Sequence, residues 1–140
     1  MSGKSSLLEW KREFLIDIEP LDRQHRDIFE CLLAIENAMV KRDPWHIVEW
    51  FIANLEITIA THIVAEETLL EIFGYPCIDH HRTQHGRLKA GIRELERSIQ
   101  QTMSPETLVP YFEQWFVYHV LSEDKEYVGY LKPFISAPEA

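Results

Sequence analysis

The chain has 140 residues, 46% of them hydrophobic and 26% charged, with a formal net charge of −9. That length suits one domain with a core that needs no disulfide staples. The acidic balance argues against nucleic acid or an anionic membrane as partner, because both require a basic surface. No uninterrupted apolar run reaches the roughly 18 residues of a membrane span, and "MSGKSSLLEWKREFLIDIEP" lacks the apolar stretch and cleavage site of a secretory signal. The expectation is a cytoplasmic protein without membrane insertion. Cys31 and Cys77 form no CxxC pair and read as free thiols used for packing.

Residues 1–19 read as an arm that lays Leu7, Leu8, Trp10, Phe14 and Ile16 on the rest of the chain. A first helix is expected from about Leu21 to Val40, with His25, Ile28, Phe29, Leu32, Glu36 and Met39 at helical spacing. "KRDPW" ends it, and Pro44 suits the first position of the next helix. That second helix carries Val48, Phe51, Ile52, Leu55, Ile59, His62, Glu66, Leu70 and Phe73 on one face, until "GYP" at 74–76 stops it. A third carries His81, His85, Leu88, Ile92, Leu95 and Ile99. In "SPET", Ser104 suits an N-cap for a fourth helix carrying Leu108, Phe112, Trp115, Phe116, His119 and Val120. Four helices with short connections predict an all-α, up-down-up-down antiparallel four-helix bundle. The domain would span 1–140, with the bundle over about 20–131.

Each helix places at least one histidine on its apolar face: His25, then His62, then His81 with His85, then His119. A lone core histidine is usually neutral and bonded to a carbonyl. Five from four helices are different, since each buried imidazole without a partner costs about 1–3 kcal/mol. A shared metal centre would satisfy them together. At about 100° per residue, His81 and His85 lie about 40° apart, whereas His80 and His85 lie about 140° apart. His80 and His46 therefore fall outside the set. Glu66, four residues after His62, joins it. In the fourth helix, spacing favours Glu123, four after His119, over Asp124, five after. Five imidazoles and two carboxylates are too many for one ion. With two bridging carboxylates and one bridging oxygen they fill all but one position of two octahedral ions. Imidazole with carboxylate suits iron or zinc, and tetrahedral zinc needs fewer ligands.

"LDRQH" at 21–25, "HIVAE" at 62–66, "HRTQH" at 81–85 and "HVLSED" at 119–124 resemble, in order, the ligand blocks of the hemerythrin family and its single-domain bacterial members, the bacteriohemerythrins. "FGYP", "DKEY" and the arm with Trp10 also match, whereas glycine is more typical than Cys77 at that position. The resemblance implies two non-haem iron ions with an oxo or hydroxo bridge. It implies His81, His85 and His119 on one iron, His25 and His62 on the other, and Glu66 and Asp124 bridging. It sets aside the spacing preference for Glu123, which would face solvent or pair with Lys125. The fourth helix must then bend or end near Ser122, or Asp124 must reach sideways. The activity implied is reversible O2 binding at the iron held by His25 and His62.

Di-iron oxygenases and ferroxidases in bundles use carboxylate-rich sites. Five neutral imidazoles with two carboxylates and one hydroxide leave two Fe(II) at a formal charge of about +1, which disfavours states beyond Fe(III) and lets O2 leave unreduced. Ile63, Trp115, Phe116 and Val120 flank ligands and are the candidates for an apolar O2 pocket. An O2 carrier, store or delivery protein is the leading expectation, not an enzyme, with any protein recipient unknown. The alternatives are an O2 or redox sensor acting through a partner, and a di-iron enzyme acting on peroxide, nitric oxide or iron.

Overall fold

The computed structural model of the chain describes residues 6–135. Among them there are four helices and no strand. The ends of the expected domain, 1–5 and 136–140, lie outside the described residues. Helix α1 is Glu19–Val40, with Pro20 in its first turn, where its missing N–H is harmless. Helix α2 is Trp45–Ile72, with Pro44 at the N-cap, one residue before the helical position expected for it. It ends where Gly74 takes a left-handed φ of 68°, and Tyr75 N–H closes back on Leu70 O at 2.9 Å. A side chain disfavours that backbone, so "FGYP" is a stop signal with a mechanism. Helix α3 is Ile78–Thr102. The expected Ser104 cap is not formed, because its hydroxyl bonds to Glu106 rather than to the backbone.

The fourth helix, 105–135, is not a regular α-helix. It opens as a 3-10 turn over Pro105–Thr107 and an α turn over Leu108–Tyr111. It then widens into π-helix over Phe112–Val117 and again over His119–Glu123. It tightens to 3-10 over Asp124–Tyr127 and finishes as α-helix over Val128–Ile135. The sequence reading allowed for a bend or an end near Ser122. The chain instead carries on through a wider turn.

α2 contacts both α1 and α3. By length and composition alone α2 is long and apolar enough to cross a membrane, although no uninterrupted apolar run within it reaches that length. The arm packs Leu8, Phe14 and Ile16 into the interior, but Leu7 is exposed. It is fastened where Leu7 N–H donates to the buried Glu36 at 2.7 Å and Ile16 N–H to Asp22 at 2.8 Å.

Two apolar cores result. The larger runs through Leu32, Ile35, Leu55, Ile59, Leu95 and Ile99. The smaller gathers Ile16, Ile18, Leu21, Leu70, Tyr127 and Leu131. On every helix buried polar residues fall between the two, and Glu36, further along α1 among members of the larger core, is the exception. His25 follows Leu21 and precedes Ile28, and His62 and Glu66 separate Ile59 from Leu70. His119 and Asp124 separate Phe116 from Tyr127. A polar slab thus divides the interior.

A candidate metal centre between two apolar cores

The slab brings together all seven expected ligands. His25, His62, Glu66, His81, His85, His119 and Asp124 are each at most 2% exposed. His46 and His80 are exposed, as the spacing predicted. The five imidazoles present Nε2 to the centre, and the two carboxylates divide their oxygens among them. Glu66 Oε1 lies 2.7 Å from His81 and 2.6 Å from His85, while its Oε2 lies 3.5 Å from His62. Asp124 Oδ1 lies 3.1 Å from His119 and 3.3 Å from His81. Its Oδ2 lies 2.6 Å from His25 and 3.4 Å from His62. One oxygen of each carboxylate therefore faces His81, His85 and His119, and the other faces His25 and His62. His119 is the member nearest both groups, since its Nε2 is also 3.4 Å from that of His62. By mutual distance alone it joins His25, His62, Glu66 and Asp124 in one metal-sized group, with Glu66, His81, His85 and Asp124 forming the second. The division of the carboxylate oxygens sets it instead with His81, since Asp124 Oδ1 faces both rings.

The π-turn explains how Asp124 enters. An i→i+5 bond stacks residue i+5 over residue i, so the widened turn from His119 brings the fifth residue onto the histidine's side. Asp124 is fully buried. Glu123 does not face solvent or pair with Lys125, as the sequence reading had it. It is 8% exposed, and its Oε1 lies 3.0 Å from His119 Nδ1. Both acids are thus used, one on each nitrogen of the same ring.

Sequence reasoning missed this outer layer. Glu67 Oε2 lies 2.7 Å from His85 Nδ1, and Gln24 Oε1 lies 3.0 Å from His62 Nδ1. An acceptor at Nδ1 holds the proton there and leaves Nε2 bare for a metal. Tyr127 is fully buried and donates to Glu66 Oε2 at 2.5 Å. The only legible signal was adjacency: Gln24, Glu67 and Glu123 each sit next to a ligand in sequence. Gln24 and Glu67 serve histidines on another helix, which periodicity along one helix cannot reveal.

The donor set fits a pair of cations. Asp124 Oδ1 is buried without a hydrogen-bond partner, although two imidazole nitrogens stand just over 3 Å away. Such an orphan is costly unless something between the groups satisfies it. Without metal, protons do part of this. Burial alone would lower His81, but the Asp124 and Glu66 carboxylates push it up to about 10. Burial likewise opposes charge on His119, yet Asp124, Glu123 and Glu66 push it up to about 10. Burial raises Asp124, and His119, His25 and His62 bring it well below the usual carboxylate range. Burial and Asp124 raise Glu66, and His62, His81 and His85 bring it down. His62 is lowered by burial, with Glu66 only partly opposing. Two imidazolium ions then balance two carboxylates.

Of the four pocket candidates, Ile63, Phe116 and Val120 are buried in the larger core beside the slab. Phe116 packs with Phe14, Phe29 and Phe112, so the aromatic group beside His25 is larger than the sequence suggested. Trp115 lies on the seam with α3. Its indole N–H donates to Leu88 O at 2.7 Å, and its ring covers Gly91 so closely that a Cβ there would meet it at 2.5 Å.

An all-helical chain with a buried histidine–carboxylate cluster between two cores is a metal-binding helical protein by class. Residues 17–131 match the hemerythrin HHE cation-binding domain. The chain belongs to the hemerythrin family. It is 26% identical to a bacteriohemerythrin of Stenotrophomonas maltophilia (strain R551-3) over 133 residues, 94% of this chain and 86% of the relative. It is 23% identical to one from Clostridium acetobutylicum over 127 residues, covering 85% and 97% respectively. A hemerythrin subunit from Sipunculus nudus is 25% identical over 125 residues, covering 87% and 92%.

Proposed function

We propose that the chain is an O2-binding protein that holds two non-haem iron ions in an up-down-up-down antiparallel bundle. His81, His85 and His119 would hold one ion and His25 and His62 the other, with Glu66 and Asp124 spanning both. The observation that carries this reading is the split of the two carboxylates, one oxygen of each toward either histidine group. The iron pair supplies the electrons that reversible O2 binding draws on. The chain's own residues do the rest. Gln24, Glu67 and Glu123 fix the Nδ1 protons of His62, His85 and His119 and so aim the Nε2 atoms inward. Tyr127 holds Glu66 in place from the other core. Burial pushes the Tyr127 hydroxyl well above its usual value, and the Asp124 and Glu66 charges add to this, so it keeps its proton and acts as a donor. Phe29, which stands one turn after His25 and packs on Phe116, is buried in the larger core with Ile63 and Val120, and together they would keep water from that face of the slab. Trp115 acts at the α3 seam. An imidazole-rich donor set without further carboxylates favours carrying over oxidising chemistry.

The test is an anaerobic optical titration of iron-loaded protein. The reduced form should be nearly colourless at two irons per chain, gain visible bands with O2, and lose them on deoxygenation. One metal per chain, or O2 consumed with formation of a product, would rule this reading out.

A further inference from the structure

The outward face of α2 is unusual for a surface helix. Trp50, Ala53, Ile57, Ala60 and Val64 recur at alternating spacings of three and four and are all exposed. No charged residue lies on that arc between Trp50 and Val64. Trp50, Ile57, Val64 and, further along, Ile72 are 60%, 64%, 65% and 70% exposed. Together they offer on the order of 500 Å² of apolar surface, near the limit for a lone chain and a large part of the ~800 Å² per partner in a stable interface. The 3-4 spacing is the seam of a coiled coil, with Trp50, Ile57 and Val64 at equivalent positions.

The two helices that flank this stripe carry opposite charge beside it, with Glu56 of α2 lying among the bases on the α3 side. On the α1 side, Cys31 bonds Thr58 of α2 at 3.4 Å, and Asp27 and Glu30 of α1 press their charge on that thiol. On the α3 side, Lys89 and Arg93 line a cavity with Glu56 and Ala60 of α2. Asp27, Lys89 and Arg93 are exposed, and none of them forms an ion pair among the described residues. Glu30 pairs only with Arg26, at the surface. The heights agree as well. Asp27 lies between the α1–α2 contacts Gln24–His62 and Cys31–Thr58. Lys89 lies between the α2–α3 contact Glu67–His85 and the level of Glu56.

We propose that this stripe is the interface with a second copy of the same chain, in a two-fold dimer whose axis runs along α2. A two-fold axis in that direction keeps heights and exchanges sides. Trp50, Ile57 and Val64 each meet their own counterpart, and the acidic α1 border of one copy meets the basic α3 border of the other, twice. An axis across α2 would set acid against acid and base against base, and like charges opposed across an interface are unfavourable. The closed, self-complementary contact leaves no apolar surface to propagate.

Sedimentation velocity of the iron-loaded protein over a concentration series tests this by mass, independently of O2 binding. The expected species is twice the 16.6 kDa chain. Ile57→Glu, at an exposed site, should give a monomer with unchanged iron content and helical circular dichroism. Asp27→Lys should weaken the dimer, and Asp27→Lys with Lys89→Asp in the same chain should restore it. Ala53→Cys, with Cys31→Ser and Cys77→Ser, should link to its own counterpart on oxidation. A monomer at every concentration overturns the proposal, as does a dimer indifferent to Ile57→Glu. A dimer in which Ala53→Cys fails to self-link overturns the parallel arrangement. A monomer that floats with phosphatidylcholine vesicles overturns it too, and assigns the stripe to a lipid surface.

Discussion

His119 is gripped at both ring nitrogens, by Glu123 at Nδ1 and by Asp124 at Nε2. The two acids are neighbours in sequence but have different tasks. Losing Asp124 removes a charge that reaches both histidine groups. Losing Glu123 removes only the anchor that orients one ring. Anchors of this kind typically contribute about 10–100-fold to metal affinity. Asp124→Ala is therefore expected to lose iron during purification. Glu123→Ala should bind two irons, but release them to a chelator about 10–100-fold faster than the parent, with Glu123→Gln in between. Iron release at the parent rate from Glu123→Ala would show that the anchor contributes nothing. Helical spacing pointed to six of the seven central residues, and Asp124 came only from the family resemblance, because spacing favoured Glu123. The sequence disclosed none of the anchors' roles, since a glutamate or glutamine beside a ligand looks like any solvated residue until the neighbouring helix is in place.

At the scale of the element, α1, α2 and α3 obey the rule used to find them, and the fourth helix does not. Regular helical phase puts residue five about 140° away from residue zero, which is why spacing favoured Glu123. The wide turn over His119–Glu123 absorbs one residue and brings the fifth into line. Periodicity cannot show this, because the apolar stripe Leu108–Phe112–Phe116–Val120 looks the same whether the chain later widens or not. Widened turns behave as single-residue insertions into an α-helix, so the converse experiment is informative. Deleting the exposed Ser122 should let the turn close to ordinary α-helix, with histidine and aspartate four apart and still facing the centre. That variant should retain iron. Deleting the equally exposed Thr83 from α3 has no slack to absorb it, turns His81 by about 100° relative to the rest of the helix and so away from the centre, and should abolish iron binding. Equal loss in both, measured as iron per folded chain, would mean that the wide turn is not an inserted residue.

For the whole molecule, the slab makes stability depend on what fills it. In the metal-free protein His81 and His119 sit at about 10, against 6.5 in the unfolded chain. Their contribution to folding is complete below pH 6.5 and is lost as pH rises toward about 10. Asp124 and Glu66 sit below their ordinary 3.8 and 4.5, so their contribution is present above those values and lost only in stronger acid. Burial lowers His62, so its protonation in the unfolded chain below pH 6.5 works against folding. The metal-free protein should therefore be most stable near pH 6.5, and its melting temperature should fall from pH 6.5 to pH 9.5. Metal replaces those two protons, so loading should release acid and the loaded protein should lose this alkaline slope. A metal-free melting temperature that is level or rising over that range would contradict the paired-charge picture. The all-helical architecture and the four segments were legible from periodicity. The division into two cores was not, because it depends on the heights at which separate helices align.

The arm places Trp10 and Phe14 over Phe29 and Phe116 and is tied down by Glu36, Asp22 and a bond from Lys125 to Glu13 O at 3.1 Å. A small apolar gas needs only brief gaps between such rings, whereas a hydrated cation must part the helices themselves. The same closure is therefore a kinetic sieve. If the chain carries O2 as proposed, loosening of the short arm would set gas exchange and separation of the long helices would set metal exchange, so the two would run on separate clocks.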